Sequence, residues 1–314
     1  MDVLLFLGLF VVSLTVLLKA SDWFVDSAEE IGLSLGISPF IIGVTIVAFG
    51  TSLPELAASV AAVVAGESEL VISNIVGSNI TNIALVLGLV AVIVKQIELE
   101  YNIWHIDMPY LWGSAFLLWL ALNDGVFSLF ESFLFLFGII IFLAYSFKSE
   151  DDEDKEKVEH PKASARAYVL LVVGGILVWL SAEYTITAIK NLSEIAGIPS
   201  TVIGLSAMAL GTSLPEVIVS LNAARKGKTS IAVGNVLGSN IFNTYIVMSV
   251  PSFFGPLEIP QSINVFFLPM MIAMTILFGI MANNKKITRW EGLVLLMFYA
   301  LFLVQIFEKG MGTT

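Results

Sequence analysis

Apolar residues occupy this chain in blocks of roughly 20, the length at which a helix crosses a bilayer, and short polar breaks separate the blocks. Inside the blocks there is no period-two alternation, so the pattern predicts helices rather than barrel strands. The breaks mark ten spans, at about 3–19 (with room to continue towards 31), 38–65, 69–94, 104–122, 126–147, 166–189, 199–224, 230–254, 263–283 and 289–307. The expected fold class is an all-α membrane protein of ten transmembrane helices.

Composition agrees. Of 314 residues 57% are hydrophobic and 13% charged, against about 25% charged in a soluble domain. One globular core cannot hide so much apolar sequence. The net charge of −11 disfavours a nucleic-acid partner. Cysteine is absent, which removes disulfides and thiolate metal sites. The first 24 residues lack a basic start and read as a retained span rather than a cleaved leader.

Orientation follows from the basic residues. If the N-terminus is outside, the loops after spans 1, 3, 5, 7 and 9 hold nearly all of them, from Lys19 and Lys95 to Arg225, Lys226, Lys228, Lys285, Lys286 and Arg289. Only Lys190 and Lys309 face the other way. Positive loops stay in the cytoplasm, so both termini are expected outside a cell membrane.

The polar breaks repeat. "GTSLPE" at Gly50–Glu55 returns at Gly211–Glu216, an offset of 161 that also carries "GSNITN" (77–82) onto "GSNIFN" (238–243). Asp22 lands on Glu183, Gly43 on Gly204, Ser59 on Ser220 and Asn74 on Asn235. Five spans per copy is an odd number, so the second copy enters from the opposite face. The expected organisation is two inverted five-helix repeats, 1–148 and 166–314, joined by an acidic cytoplasmic linker at 149–165. The linker reads as a solvated connection. It is too short for a folded calcium sensor and has no EF-hand pattern. Inverted repeats are an architecture of secondary transporters, with the substrate site at the repeat interface.

Chemistry concentrates in the hexapeptides. A carboxylate at mid-membrane costs roughly 2.5–3.5 kcal/mol, and no basic residue lies in spans 2, 3, 7 or 8 to pair with Glu55 or Glu216. A pair of structural kinks would not require glutamate. Pro54 and Pro215 free carbonyls one turn back, at Gly50 and Gly211, and strain the bonds of Thr51 and Thr212. Thr51 and Ser52 lie four and three residues before Glu55, so they share its face. Asn74, Ser78 and Asn82 form a stripe spaced by four, repeated by Asn235, Ser239 and Asn243. Interhelical hydrogen bonding is the alternative reading of these stripes. Glycines 50, 77, 211 and 238 are expected to allow close backbone approach. Every ligand on offer is oxygen, which suits Ca²⁺ or Na⁺ rather than zinc or copper. Two carboxylates balance one Ca²⁺, so an unloaded cage would resist crossing and exchange would be obligatory.

"GTSLPE…GSNITN" with "GTSLPE…GSNIFN" resembles the paired repeats of the sodium/calcium exchanger family, within the calcium:cation antiporter superfamily, over essentially the whole chain. The resemblance implies an antiporter that exchanges Ca²⁺ for Na⁺ by alternating access, with spans 1 and 6 sliding against the other eight. It implies central Ca²⁺ held by Glu55, Glu216 and the carbonyls of Thr51 and Thr212. Flanking Na⁺ sites would use Ala48, Thr51 and Ser78, and Ala209, Thr212 and Ser239. Asn82 and Asn243 would line the centre, with Ser52 and Ser213 close by. Asn243 stands where potassium-dependent relatives have aspartate. Proton/calcium exchangers show "GNxxE", where this chain has glycine at 77 and 238.

Rival readings are a proton/calcium exchanger, a passive cation channel and an intramembrane enzyme. A channel filter is usually assembled around a symmetry axis between subunits, which an inverted pair within one chain does not suggest. An acid/base pair needs unequal environments, whereas these glutamates have matching neighbours. No cofactor and no obligate protein partner is expected beyond the transported ions and the bilayer. Asp22 and Glu183 are read as solvated at the interface. His105, Trp104, Trp23, Trp112, Trp119, Trp179 and Trp290 are read as interface anchors or lipid-facing bulk.

Overall fold

The computed structural model describes residues 2–99, 103–104, 107–152, 162–196, 211–261 and 263–310. Ten helices lie among them. In the first half these are α1 (Asp2–Ser34), α2 (Pro39–Val64), α3 (Glu69–Val94), α4 (Asp107–Ala121) and α5 (Leu129–Asp152). In the second they are α6 (Ala165–Ile195), α7 (Leu214–Arg225), α8 (Thr229–Ser252), α9 (Ile263–Ala282) and α10 (Arg289–Gly310). Eight are long and apolar enough to cross a membrane.

Local sequence explains the boundaries. α2 opens at Ser38, whose hydroxyl accepts the Ile41 N–H, and Pro39 fills a first-turn position where its missing N–H costs nothing. α6 opens likewise at Ser164, capping Ala167 N–H. α1 uses the room expected towards 31 and ends at Ser34, and α6 runs past the expected 189 to Ile195, because the polar residues after Lys19 and after Ile189 keep helical spacing and simply leave the apolar zone. The seventh span departs further. Its described part has Gly211 helical, a turn at Thr212 and Ser213, and a helix again from Leu214. Pro54 therefore sits inside a helix and kinks it, whereas Pro215 starts one.

The elements pair across the two halves. α1 and α6 are antiparallel: Thr185 Oγ1 donates to Ser13 Oγ at 2.9 Å, and a Cβ on Gly174 would meet Ala20 O and Phe24 N. The offset of 161 converts the first contact, 13 with 185, into the second, 174 with 24. A pseudo-twofold axis thus runs between these helices. Two short antiparallel ladders tie the remaining spans: β1 (Gln96–Glu98) pairs with β4 (Lys286–Thr288), and β2 (Val126–Phe127) with β3 (Leu257–Glu258).

Burial sorts the helices by depth. Every residue of α8 from Ile231 to Tyr245 is buried. α1, α5, α6 and α10 expose Leu4, Phe130, Phe133, Val172 and Met297. In water such a rim would drive aggregation; around a membrane protein it is the lipid-facing surface. The chain is a multi-pass membrane protein. At the centre α2 crosses α8 so closely that a Cβ on Gly238 would overlap the carbonyl of Val44, and one on Gly43 that of Ile231. Gly238 fits its expected role. Gly50 instead faces the Phe24 ring, and Gly77 and Gly211 have ordinary room. Those three mark no backbone crossing.

Candidate cation-binding site

The site forms where α2 and α3 meet α7 and α8. Glu55 and Glu216 are both fully buried, on α2 and in the first turn of α7, and their side chains interact. Glu55 Oε1 and Oε2 and Glu216 Oε2 have no hydrogen-bond partner. An uncompensated buried carboxylate costs several kcal/mol, so three bare oxygens at one place call for a cation.

Around them the hydrogen bonds come in mirrored pairs. Thr51 Oγ1 donates to Asn235 Oδ1 at 3.1 Å, and Thr212 Oγ1 to Asn74 Oδ1 at 2.9 Å. Thr51 and Ser239 hydroxyls lie 3.4 Å apart, Thr212 and Ser78 hydroxyls 3.3 Å. Asn74 Nδ2 donates to Ser59 Oγ at 3.1 Å, and Asn235 Nδ2 to Ser220 Oγ at 2.9 Å. Asn74 and Asn235 therefore each brace their own repeat through nitrogen and reach the other through oxygen. Asn74 and Asn235 thus make the interhelical bonds of the alternative reading.

The mirror breaks at the carboxylates. Ser52 Oγ donates to Glu216 Oε1 at 3.2 Å, while Ser213 Oγ has no partner. Ala48 opens the second helical segment of α2, and its carbonyl accepts from Thr51 Oγ1 at 3.3 Å. Ala209 lies outside the described residues, as does His105.

Asn82 and Asn243 are fully buried and each begins a π-helical turn, Asn82–Leu87 in α3 and Asn243–Val247 in α8. Such bulges inside α-helices often accompany functional sites. Their side-chain oxygens have no partner. Asn82 Nδ2 donates to Asn240 Oδ1 at 3.0 Å and Asn243 Nδ2 to Asn79 Oδ1 at 3.3 Å. Asn79 and Asn240 escape the sequence reading because they sit one residue off the stripe of four. Their signal was the "GSN" common to both motifs.

Two expectations change at the rim. Asp22 keeps part of its side chain exposed, but it is not left to solvent alone: Lys226 Nζ stands 2.7 Å from its Oδ1. Lys226 also pairs with Asp26, and Lys228 with Asp26 and Glu29. Burial works to lower both lysine pKa values, but hydrogen bonds and charge from these acids outweigh it and raise them. Glu183 remains exposed; the first-repeat positions equivalent to Lys226 and Lys228 are Ala65 and Glu67, which offer no cation. Trp112 is no lipid anchor either; its Nε1 donates to Thr275 O at 3.1 Å and joins α4 to α9.

A sequence profile described as "Sodium/calcium exchanger protein" matches residues 5–148 and 166–307. The chain is similar to the sodium/calcium exchanger MaX1 of Methanosarcina acetivorans, at 35% identity over 94% of this chain and 96% of the relative. It is also similar to the membrane protein MJ0091 of Methanocaldococcus jannaschii, at 35% identity over 97% and 98% of the two chains. Among solved structures, the sodium-calcium exchanger NCX_Mj soaked with zero Na⁺ and Ca²⁺ matches with a TM-score of 0.84 at 33% identity, covering 97% of this chain and 99% of that one. The same exchanger soaked with 10 mM Na⁺ and zero Ca²⁺ gives 0.85 at 34% identity.

Proposed function

Because the chain belongs to the sodium/calcium exchanger protein family and has the inverted-repeat fold of that exchanger, we propose that it is a secondary antiporter exchanging Ca²⁺ for Na⁺, not an enzyme. The transported ions are its substrates and the bilayer its surroundings. The observation that carries this reading is the trio of buried, partnerless carboxylate oxygens on Glu55 and Glu216, one glutamate from each repeat.

Ca²⁺ sits between the two carboxylates, with the carbonyls of Thr51 and Thr212. Na⁺ takes the flanking positions built from Ala48, Thr51 and Ser78, and from Ala209, Thr212 and Ser239. Ser52, Ser213, Asn82 and Asn243 complete the oxygen lining. Hard cations favour such a set. Unloaded, the cage carries two negative charges with nothing to balance them, and closing it away from water strengthens their repulsion. One Ca²⁺ or several Na⁺ remove that penalty. Only loaded forms then cross, which makes the flux an exchange.

Alternating access fits the packing. α1 and α6 lie chiefly against each other, and neither carries a strand of the two ladders that tie α3 to α10 and α5 to α8. This pair slides while the other helices stay joined. The functional division is 1–148 and 166–314 as inverted repeats with the linker 149–165 between them. The face carrying Lys95, Lys226, Lys228 and Lys285 is cytoplasmic by its charge, leaving both termini outside a plasma membrane.

The test is ⁴⁵Ca²⁺ uptake by purified protein in liposomes, comparing outward Na⁺, K⁺ and H⁺ gradients. Uptake driven by Na⁺ alone is expected. Uptake that follows the pH gradient alone would transfer the protein to proton/calcium exchange, and uptake needing no counter-ion would make it a channel.

A further inference from the structure

An asparagine side chain can turn either its oxygen or its nitrogen towards a cation, and the two ends have opposite polarity. Oxygen binds the ion, whereas the amide N–H groups repel it. Asn82 and Asn243, which the proposed exchange puts in the oxygen lining, face that choice, and each is fully buried with a partnerless Oδ1. Something must decide which end points inward.

Two backbone carbonyls decide it. Asn240 Nδ2 donates to the carbonyl of Asn79 at 3.2 Å, and Asn79 Nδ2 donates to the carbonyl of Asn240 at 3.4 Å. Asn79 Nδ2 is held further by Thr244 Oγ1 at 3.1 Å. A peptide carbonyl only accepts, so each of these amides must place nitrogen on that side. Their oxygens are thereby turned the other way, towards Asn243 and Asn82. An oxygen there accepts only from nitrogen. Asn82 and Asn243 must present Nδ2 to their neighbours, which leaves Oδ1 of each free. Reversing either amide would set oxygen against oxygen in a dry interior and discard a hydrogen bond.

We infer that Asn79 and Asn240 are positioning residues, which lock the amide polarity of Asn82 and Asn243 so that both offer oxygen to the transported ion. The inference rests on the proposed exchange at this site. Neither residue needs to touch the ion. Each acts on the asparagine of the opposite repeat, so the polarity of one half is set by the other half.

A double-mutant cycle tests it, read as the half-saturating Ca²⁺ concentration and the maximal rate of Na⁺-driven uptake. Asn79→Leu removes the acceptor that orients Asn243. It is expected to raise half-saturating Ca²⁺ about fivefold, the scale of one neutral hydrogen bond, with the maximal rate within about twofold. In an Asn243→Ala background the same change is expected to add less than about twofold, because nothing remains to orient. Equal effects in both backgrounds, or no effect of Asn79→Leu alone, would overturn the inference and leave Asn79 as a staple between helices. Asn240→Leu with Asn82→Ala forms the mirrored cycle and serves should the first variant not assemble. Glu55→Gln in the same assay keeps the two readings apart. Normal transport by that variant sinks the binding site itself, whereas a dead variant beside an additive cycle sinks only the positioning role.

Discussion

Lys226 Nζ lies 2.7 Å from Asp22 Oδ1, tying the loop between α7 and α8 to the far end of α1. With Asp26, Lys228 and Glu29 it makes a clasp of four ion pairs at one end of the α1/α6 pair. The opposite end has no such clasp among the described residues. The side chains are partly exposed, so each pair contributes only about 0.2–1 kcal/mol. Removing both lysines as Lys226→Gln with Lys228→Gln should shift the opening of that end by up to about tenfold in population. The chain has no cysteine, so a thiol at buried Ser21, whose hydroxyl accepts from Asn222 at 3.1 Å, reports opening cleanly. Labelling should accelerate in the double variant, and in the parent as salt screens the clasp. An unchanged rate in both would show that the clasp holds nothing shut.

The broken mirror at the carboxylates makes two equivalent serines unequal. Ser52 donates to Glu216, whereas Ser213 has no partner. Measured without Na⁺ or Ca²⁺, Ser52→Ala should lower stability by about 1–2 kcal/mol, since it leaves a further carboxylate oxygen bare. Ser213→Ala should change it by less than about 0.5 kcal/mol. Equal losses in thermal unfolding would mean the asymmetry is not a property of the folded protein.

Gly77 and Gly238 occupy equivalent places in the two repeats and predict opposite outcomes. Alanine at 238 must push against the carbonyl of Val44 where α2 crosses α8, at a cost of about 1–3 kcal/mol or more. Alanine at 77 meets only the rim of Phe302 at 4.0 Å and should gain up to about 1 kcal/mol of helix propensity. Melting temperatures of the two variants give the sign directly.

Loading the site should stabilise the fold. Ca²⁺ at a hundred times its dissociation constant adds about 2.7 kcal/mol by mass action, so chelation should lower the unfolding temperature by a few degrees. In Glu55→Gln that dependence on Ca²⁺ should vanish, with Na⁺-free unfolding otherwise preserved or improved, because a buried charge has gone.

Much of this could be read from residue order. Apolar blocks located the helices, since lipid demands continuous apolar runs, and the exact return of "GTSLPE" located the centre. What stayed hidden depends on contacts between distant segments. Asp22, Asp26 and Glu29 share one face of α1, yet nothing in their spacing says that Lys226 and Lys228 meet them. Trp112 looks like any membrane-edge tryptophan until Thr275 is beside it. Asn79 and Asn240 were visible inside the motifs, but their meaning lies in two peptide carbonyls that a one-dimensional pattern cannot bring together. The break at Thr212 and Ser213 was equally illegible, because identical hexapeptides adopt different backbones there, helical around Pro54 and turned before Pro215.

The pairings across the halves carry a consequence for how such a chain is made. α6 lies on α1, α8 on α2, and α10 on α3 through Gly88 and Gly292, while β4 completes β1 and β3 completes β2. A ribosome that has released only the first repeat has therefore delivered a set of helices whose grooves still await their fillers. The motif that repeats belongs to half a chain; the unit that can become solid is the whole of it.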